Sequence, residues 1–204
     1  MSEPPLINYL VADKNPLPPC NASMYEFILA GNGVFIRSER DGLSIIASLV
    51  ECNIVGLEEI EPQFHLQYPL VPRELLEEIL HICQKAAPDE ILFHLHYFQG
   101  WKLSIPPQVN QELTVTRLDS SPHVLIEIHS HHVLPASFSS QDNIEESGFK
   151  IYGVIGTIFS QPTLRLRVGI YHQLFWEIPA HFVFDMPPKI YDATLVDYVR
   201  LFIP

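Results

Sequence analysis

Two histidines separated by one residue close an apolar run, Val124-Leu-Ile-Glu-Ile-His129-Ser-His131. The run has strand character, and side chains alternate faces along a strand, so His129 and His131 project the same way and lie close together. Asp142 follows eleven residues after His131, across an interval that holds Pro135 and several serines, which is turn chemistry. Two imidazoles and one carboxylate are a protein ligand set for a catalytic Zn²⁺ whose fourth position is left to water. The same residues also have plainer readings. Alternating histidines can line a polar sheet face, and Ser139-x-x-Asp142 matches a capping box at a helix start. His132 adjoins the pair and is a rival ligand. Glu127 shares the parity of His129 and His131, so it is either a hydrogen-bond acceptor for a ligand imidazole or the partner of a neighbouring strand. His94 and His96 form a second pair with the same spacing, but no carboxylate stands at a matching interval beyond them. They are either proton carriers near the site or ordinary strand histidines.

The elements that must position these groups can be read in order. Residues 1–20 hold Pro4, Pro5, Pro16, Pro18 and Pro19 and are expected to run extended and loop-like. Tyr25 to Ala30 and Val34 to Arg37 read as strands joined by a turn at Gly31-Asn-Gly33, and this glycine pair lacks the spacing of a phosphate loop. Leu43 to Cys52 is a further strand, and Leu57 to Phe64 is a candidate fourth, with Glu58, Glu59 and Glu61 on a solvated face. A boundary is expected near Tyr68-Pro-Leu-Val-Pro72. Pro72 suits the first turn of a helix, and Glu74, Glu77 and Glu78 suit its positive end. Leu75, Leu76, Ile79, Leu80 and Cys83 recur at helical spacing, which predicts an amphipathic helix ending near Ala86-Ala-Pro88.

Asp89 to Phe98 then reads as a strand, Trp101 to Ile105 as its hairpin partner and Glu112 to Arg117 as a short strand. After the histidine strand, Asp142 to Phe149 is expected to be helical. Ile151 to Phe159 is apolar on both faces and so reads as a buried strand. Leu164 to Tyr171 alternates as an amphipathic strand, with Phe175 to Ile178 as its partner. Ala193 to Phe202 reads as a closing helix. The expected divisions are a β-rich unit over 1–68, a core carrying the site over 69–180, and a tail over 181–204. The fold class is α+β.

Composition narrows the functions. A formal net charge of −12 argues against nucleic acid or an anionic membrane as partner, because both need a basic face. No apolar run reaches the roughly 18 residues of a membrane helix. The N-terminal MSEPPLINYL has no basic start and no long apolar run, so no signal peptide is expected. Cys20, Cys52 and Cys83 are odd in number and widely spaced, which disfavours a disulfide framework and points to a cytoplasmic setting. No serine or cysteine sits in a nucleophile elbow. The aromatic segment Tyr171 to Trp176 is either a recognition surface or core.

Taken together, His129-x-His131, seven residues, Ser139, two residues and Asp142 resemble the motif of the JAMM (MPN+ or JAB-domain) metalloproteases, prokaryotic branch. The resemblance extends upstream to the helix that runs into Pro88-Asp-Glu90, and downstream to Tyr152-Gly-Val-Ile-Gly. It covers about residues 70–178 and leaves the first third of the chain outside. The whole chain is also similar to the A proteins of the bacterial PRTRC systems. The resemblance implies a cytidine-deaminase-like fold, a curved mixed sheet flanked by helices with zinc at its edge. It implies His129, His131 and Asp142 as Zn²⁺ ligands, Glu90 as general acid/base and Ser139 as an oxyanion donor. Glu112 and Glu127 are rivals for the part given to Glu90. Many members carry Pro after the second ligand histidine, where this chain has His132.

The implied reaction is hydrolysis of a peptide or isopeptide bond. Its implied substrate is the C-terminal tail of a ubiquitin-like or sulfur-carrier protein, laid beside the sheet as an added strand. A non-catalytic scaffold of the same fold, binding a partner protein, and a zinc amidase acting on small conjugates are the competing expectations.

Overall fold

The computed structural model describes residues 3–111, 114–117 and 123–194, with side chains described for all of these except 109–111 and 114–117. The chain forms two compact units, residues 1–67 and 68–204.

The first unit is a five-stranded sheet in the order β1-β2-β3-β4-β5. Its strands are β1 (Ile7–Val11), β2 (Tyr25–Ala30), β3 (Gly33–Arg40), β4 (Leu43–Glu51) and β5 (Gln63–Leu66). All neighbours are antiparallel except β1 and β2, which run parallel. The expectation of a loop over 1–20 is corrected by β1. Its prolines stop at Pro5 and resume at Pro16, so Ile7-Asn-Tyr-Leu-Val keeps every backbone N–H a ladder needs.

The Gly31-Asn32 turn does more than reverse the chain. A Cβ on Gly31 would stand 2.5 Å from the Leu57 carbonyl oxygen, and Asn32 hydrogen-bonds both the N–H and the C=O of Ile60. This docking holds residues 54–60 as a loop, which is why the expected strand over 57–64 begins only at Gln63. Ala12, Ile28, Ala30, Phe35 and Ile60 form the core beneath it.

The second unit opens with α1 (Arg73–Ala86), preceded by Pro72, with Leu76, Ile79 and Cys83 buried along one stripe. The following strands are β6 (Leu92–Tyr97), β7 (Trp101–Ser104), β8 (Gln108–Gln111), β9 (Thr114–Arg117) and β10 (Ile126–Ser130). Then come α2 (Ser140–Glu145), β11 (Lys150–Gly156), β12 (Thr163–Ile170), β13 (Leu174–Ile178) and β14 (Tyr191–Asp192). The main sheet has the order β13-β12-β11-β10-β6-β7, with β14 beside β12, and β8 and β9 form a separate hairpin. This is a mixed α+β architecture.

Tyr68 stacks on Tyr97 at 4.0 Å, and Trp101 donates to the Pro69 carbonyl, so the start of the unit is fastened to the β6–β7 hairpin. At its other end, Arg73 pairs bidentately with Asp185, and Val71 bridges Phe184. The closing helix expected over 193–202 lies almost wholly outside the described residues.

Two further expectations need correction. The helix expected from Asp142 to Phe149 runs instead from Ser140 to Glu145, because Ser139 caps it and Lys150 already enters β11. The strand β12 is not amphipathic in the sense of one wet face. Arg167 is only 5% exposed, since the segment between β10 and β11 covers that face.

One connection sets up the site. Strands β10 and β11 are parallel, and parallel neighbours need a long crossover rather than a tight turn. Residues 131–149 are that crossover. Among the described residues, no helix is long and apolar enough to cross a membrane.

The buried stripe of α1 yields a direct expectation. Ile79→Ala should cost about 2–5 kcal/mol of stability through the cavity it leaves, seen as a lower urea midpoint for the second unit, whereas exposed Glu77→Ala should leave the midpoint nearly unchanged.

A candidate metal centre at the end of β10

His129 sits in the last turn of the pleat of β10, and His131 lies one residue beyond the strand. Their Nε2 atoms stand 3.2 Å apart. The backbone of His131 is fixed by its N–H to the Ile155 carbonyl at 2.8 Å, and its Nδ1 lies 3.1 Å from the Pro135 carbonyl oxygen. A carbonyl can only accept, so Nδ1 donates to it and Nε2 is the nitrogen turned toward His129 and Glu90. His129 is deeply buried, and burial pushes its pKa down to about 4 against the opposing pull of Asp142, which leaves its imidazole neutral near pH 7.

Asp142 arrives on the crossover. Ser139 and Asp142 form a complete capping box: Ser139 N–H donates to Asp142 Oδ2 at 2.5 Å, and Asp142 N–H donates to Ser139 Oγ at 3.2 Å. The other carboxylate oxygen, Oδ1, is 3.4 Å from His129 Nε2. The capping and the ligand readings of Asp142 are therefore compatible, since each uses a different oxygen. One donor atom from each of His129, His131 and Asp142 falls within 4.8 Å of the others, and this group could hold a metal ion.

Glu90 precedes β6 and is 4% exposed, with Oε1 4.0 Å from His131 Nε2. Burial, reinforced by the charge of Asp142, pushes its carboxyl up to about 7. Its position follows from a two-point clamp on the next residue. Ile91 N–H donates to Ser130 Oγ at 3.0 Å, and Ser130 N–H donates to the Ile91 carbonyl at 3.1 Å. Ser130 is the residue between the two histidines, so the clamp ties Glu90 to the histidine pair directly.

The other candidates are not brought to the donors. Glu127 takes Lys150 Nζ at 2.5 Å and lies 3.6 Å from His94, its cross-strand neighbour, so it answers to the strands beside it. That pairing also accounts for His94. His96 lies two residues farther from Glu90 along β6, across from Lys102 and outside the donor group. His132 turns away on a left-handed backbone (φ 35°), where it faces the Asp89 backbone, and burial lowers its pKa. It does not join the donor set. Glu112 lies outside the described residues.

The donors gather at the end of an interior strand hydrogen-bonded on both sides, and not along an edge strand of the sheet as expected. A substrate strand cannot pair with β10 itself.

Sequence reasoning missed Ser130 and Gly156. Ser130 is a small polar residue between the two histidines at the end of an apolar strand, and that placement was the available signal. Gly156 allows the ligand loop to cross β11, because a Cβ there would meet backbone atoms of residues 134–136 at 2.4–2.6 Å.

No model of a known protein family matches this chain, and no curated protein sequence matches it.

Two outcomes follow from the geometry. The wild-type chain should bind roughly one divalent ion, with His129→Ala, His131→Ala and Asp142→Ala each losing or weakening it on titration. Gly156→Ala should keep the fold by circular dichroism but weaken the ion roughly 10-fold or more, because the shifted loop withdraws the Pro135 carbonyl from His131.

Proposed function

We propose that this chain is a JAMM-type zinc hydrolase that cleaves a peptide or isopeptide bond, with the flexible tail of a ubiquitin-like or sulfur-carrier-type protein as substrate. The observation that carries the reading is the convergence of two imidazole nitrogens and one carboxylate oxygen beside a buried carboxyl group. Ligands at the Zn–N and Zn–O distances of about 2.0–2.2 Å around a tetrahedral ion stand roughly 3.3–3.5 Å from one another. The 3.2 Å between the imidazoles and the 3.4 Å from His129 to Asp142 lie close to that spacing, and all three donor atoms fall within 4.8 Å of one another. Nitrogen and oxygen donors with no thiolate, and three rather than four of them, suit a catalytic zinc better than a structural one.

A zinc ion held there would supply a water acidic enough to lose its proton near neutral pH. The rest is the work of the chain's own groups. Glu90, with a carboxyl poised near 7, can take a proton from a nucleophilic water and return it to a leaving amine. Ser139 Oγ already accepts the Asp142 N–H, which leaves its hydroxyl hydrogen to donate to a developing oxyanion. His131 and Asp142 are only partly buried and Ser139 is exposed, so an extended tail has access to the donors. The acidic charge of the chain is compatible with a basic protein partner.

The test is cleavage of fusions that carry an extra segment beyond the Gly-Gly tail of ubiquitin-like and sulfur-carrier proteins. Zinc-loaded wild type should cut at the tail. Glu90→Gln should keep the metal yet lose roughly 10²–10⁴ in rate. Equal turnover by Glu90→Gln would remove Glu90 from the mechanism. Absence of cleavage across every tail and small-conjugate amide tried would favour the scaffold.

A further inference from the structure

The helix carrying Asp142 is six residues long and buries none of its own side chains, so neither length nor packing holds it in place. What fastens it is Arg167 on β12. The guanidinium lies between two aromatic rings, 3.8 Å from the Phe138 centroid and 3.9 Å from that of Phe175. Its Nε donates to Glu146 Oε2 at 2.7 Å, its Nη2 meets the same oxygen at 2.6 Å, and its Nη1 donates to Asn143 Oδ1 at 2.7 Å. Phe138 immediately precedes the capping residue, and Asn143 and Glu146 follow Asp142. Arg167 therefore grips the Ser139–Asp142 box from both sides. Sheet register puts it in line with Tyr152 and then Glu127, on the face from which His129 projects.

We infer that Arg167 is a positioning residue for the metal centre. It sets where Asp142 stands relative to His129 and so governs metal affinity without touching the ion. The inference rests on the metal-site reading of His129, His131 and Asp142. The planar, five-donor guanidinium is needed because it stacks on both rings while bonding in its own plane, which an ammonium cannot do.

The experiment is Co²⁺ titration of the full chain, following both affinity and the visible d–d absorption, for wild type, Arg167→Ala, Arg167→Lys, Asp142→Ala and the Arg167→Ala/Asp142→Ala double variant. Arg167→Ala should weaken Co²⁺ roughly 10–100-fold and move the absorption toward that of Asp142→Ala. Arg167→Lys should not restore it. The double variant should be no weaker than Asp142→Ala alone, since both changes remove the same interaction. A folded Arg167→Ala with wild-type affinity and spectrum, or losses that multiply in the double variant, would overturn the inference. Should Arg167→Ala not fold, Asn143→Ala and Glu146→Ala decide in its place, and wild-type affinity in both would overturn it. Loss of Co²⁺ in Asp142→Ala but not in the Arg167 variants refutes Arg167 alone. Co²⁺ binding untouched by Asp142→Ala refutes the ligand set, and this inference with it.

Discussion

The centre depends on the parallel step from β10 to β11. A chain that leaves the end of one strand and must re-enter alongside it in the same direction has to travel the length of the sheet outside it. Here that excursion is residues 131–149, and it begins with a histidine at the strand end and passes a carboxylate over the same spot. Ligand sites at the carboxyl ends of parallel strands arise from this geometry, because the crossover leaves a crevice that the departing loop lines. Among the described residues the other strand pairings of this sheet are antiparallel, apart from the short β12–β14 pairing, so the opening belongs to this one step.

A second constraint is the division of labour within single side chains. Asp142 uses one oxygen to cap its helix and turns the other toward His129. His131 spends Nδ1 on a carbonyl and offers Nε2. Ser139 accepts with its oxygen and retains its hydrogen. Each group is oriented by the bond it makes away from the centre, so the donors are held before any ion arrives. Ser130 extends the same logic to Glu90, whose carboxyl would otherwise hang from a loop after α1.

Burial supplies the electrostatics. Desolvation raises Glu90 and lowers His129, the directions that leave one group able to carry a proton and the other free to donate a lone pair. The neighbouring Glu127–Lys150 pair lies on the same face, and the charge of Glu127 acts on His129 in the same direction as that of Asp142. Arg167 plays a comparable part for Glu146, whose carboxyl burial pushes up to about 8 while the guanidinium draws it back.

The amino-acid sequence by itself determined the periodic elements and the donor residues. Alternation carried the strands around Tyr25, Leu43 and Ile151, helical spacing carried α1, and the spacing from His129 to Asp142 carried the donor set, because these are local properties of a chain. It also held both meanings of Ser139-x-x-Asp142, and only the tertiary structure showed that they coexist. Tertiary structure alone decided that Ile7–Val11 is a strand, because it pairs in parallel with β2 across an irregular, proline-containing connection. It decided that Glu127 takes Lys150 and lies against His94, that His132 turns away, and that Arg167 is buried, since each outcome depends on which strand lies alongside. It decided the need for a glycine at 156, because the loop that would collide with a side chain there comes from another part of the sequence. Contacts across the sheet have no period to read, and that is the physical reason the donors were legible while the residues that hold them were not.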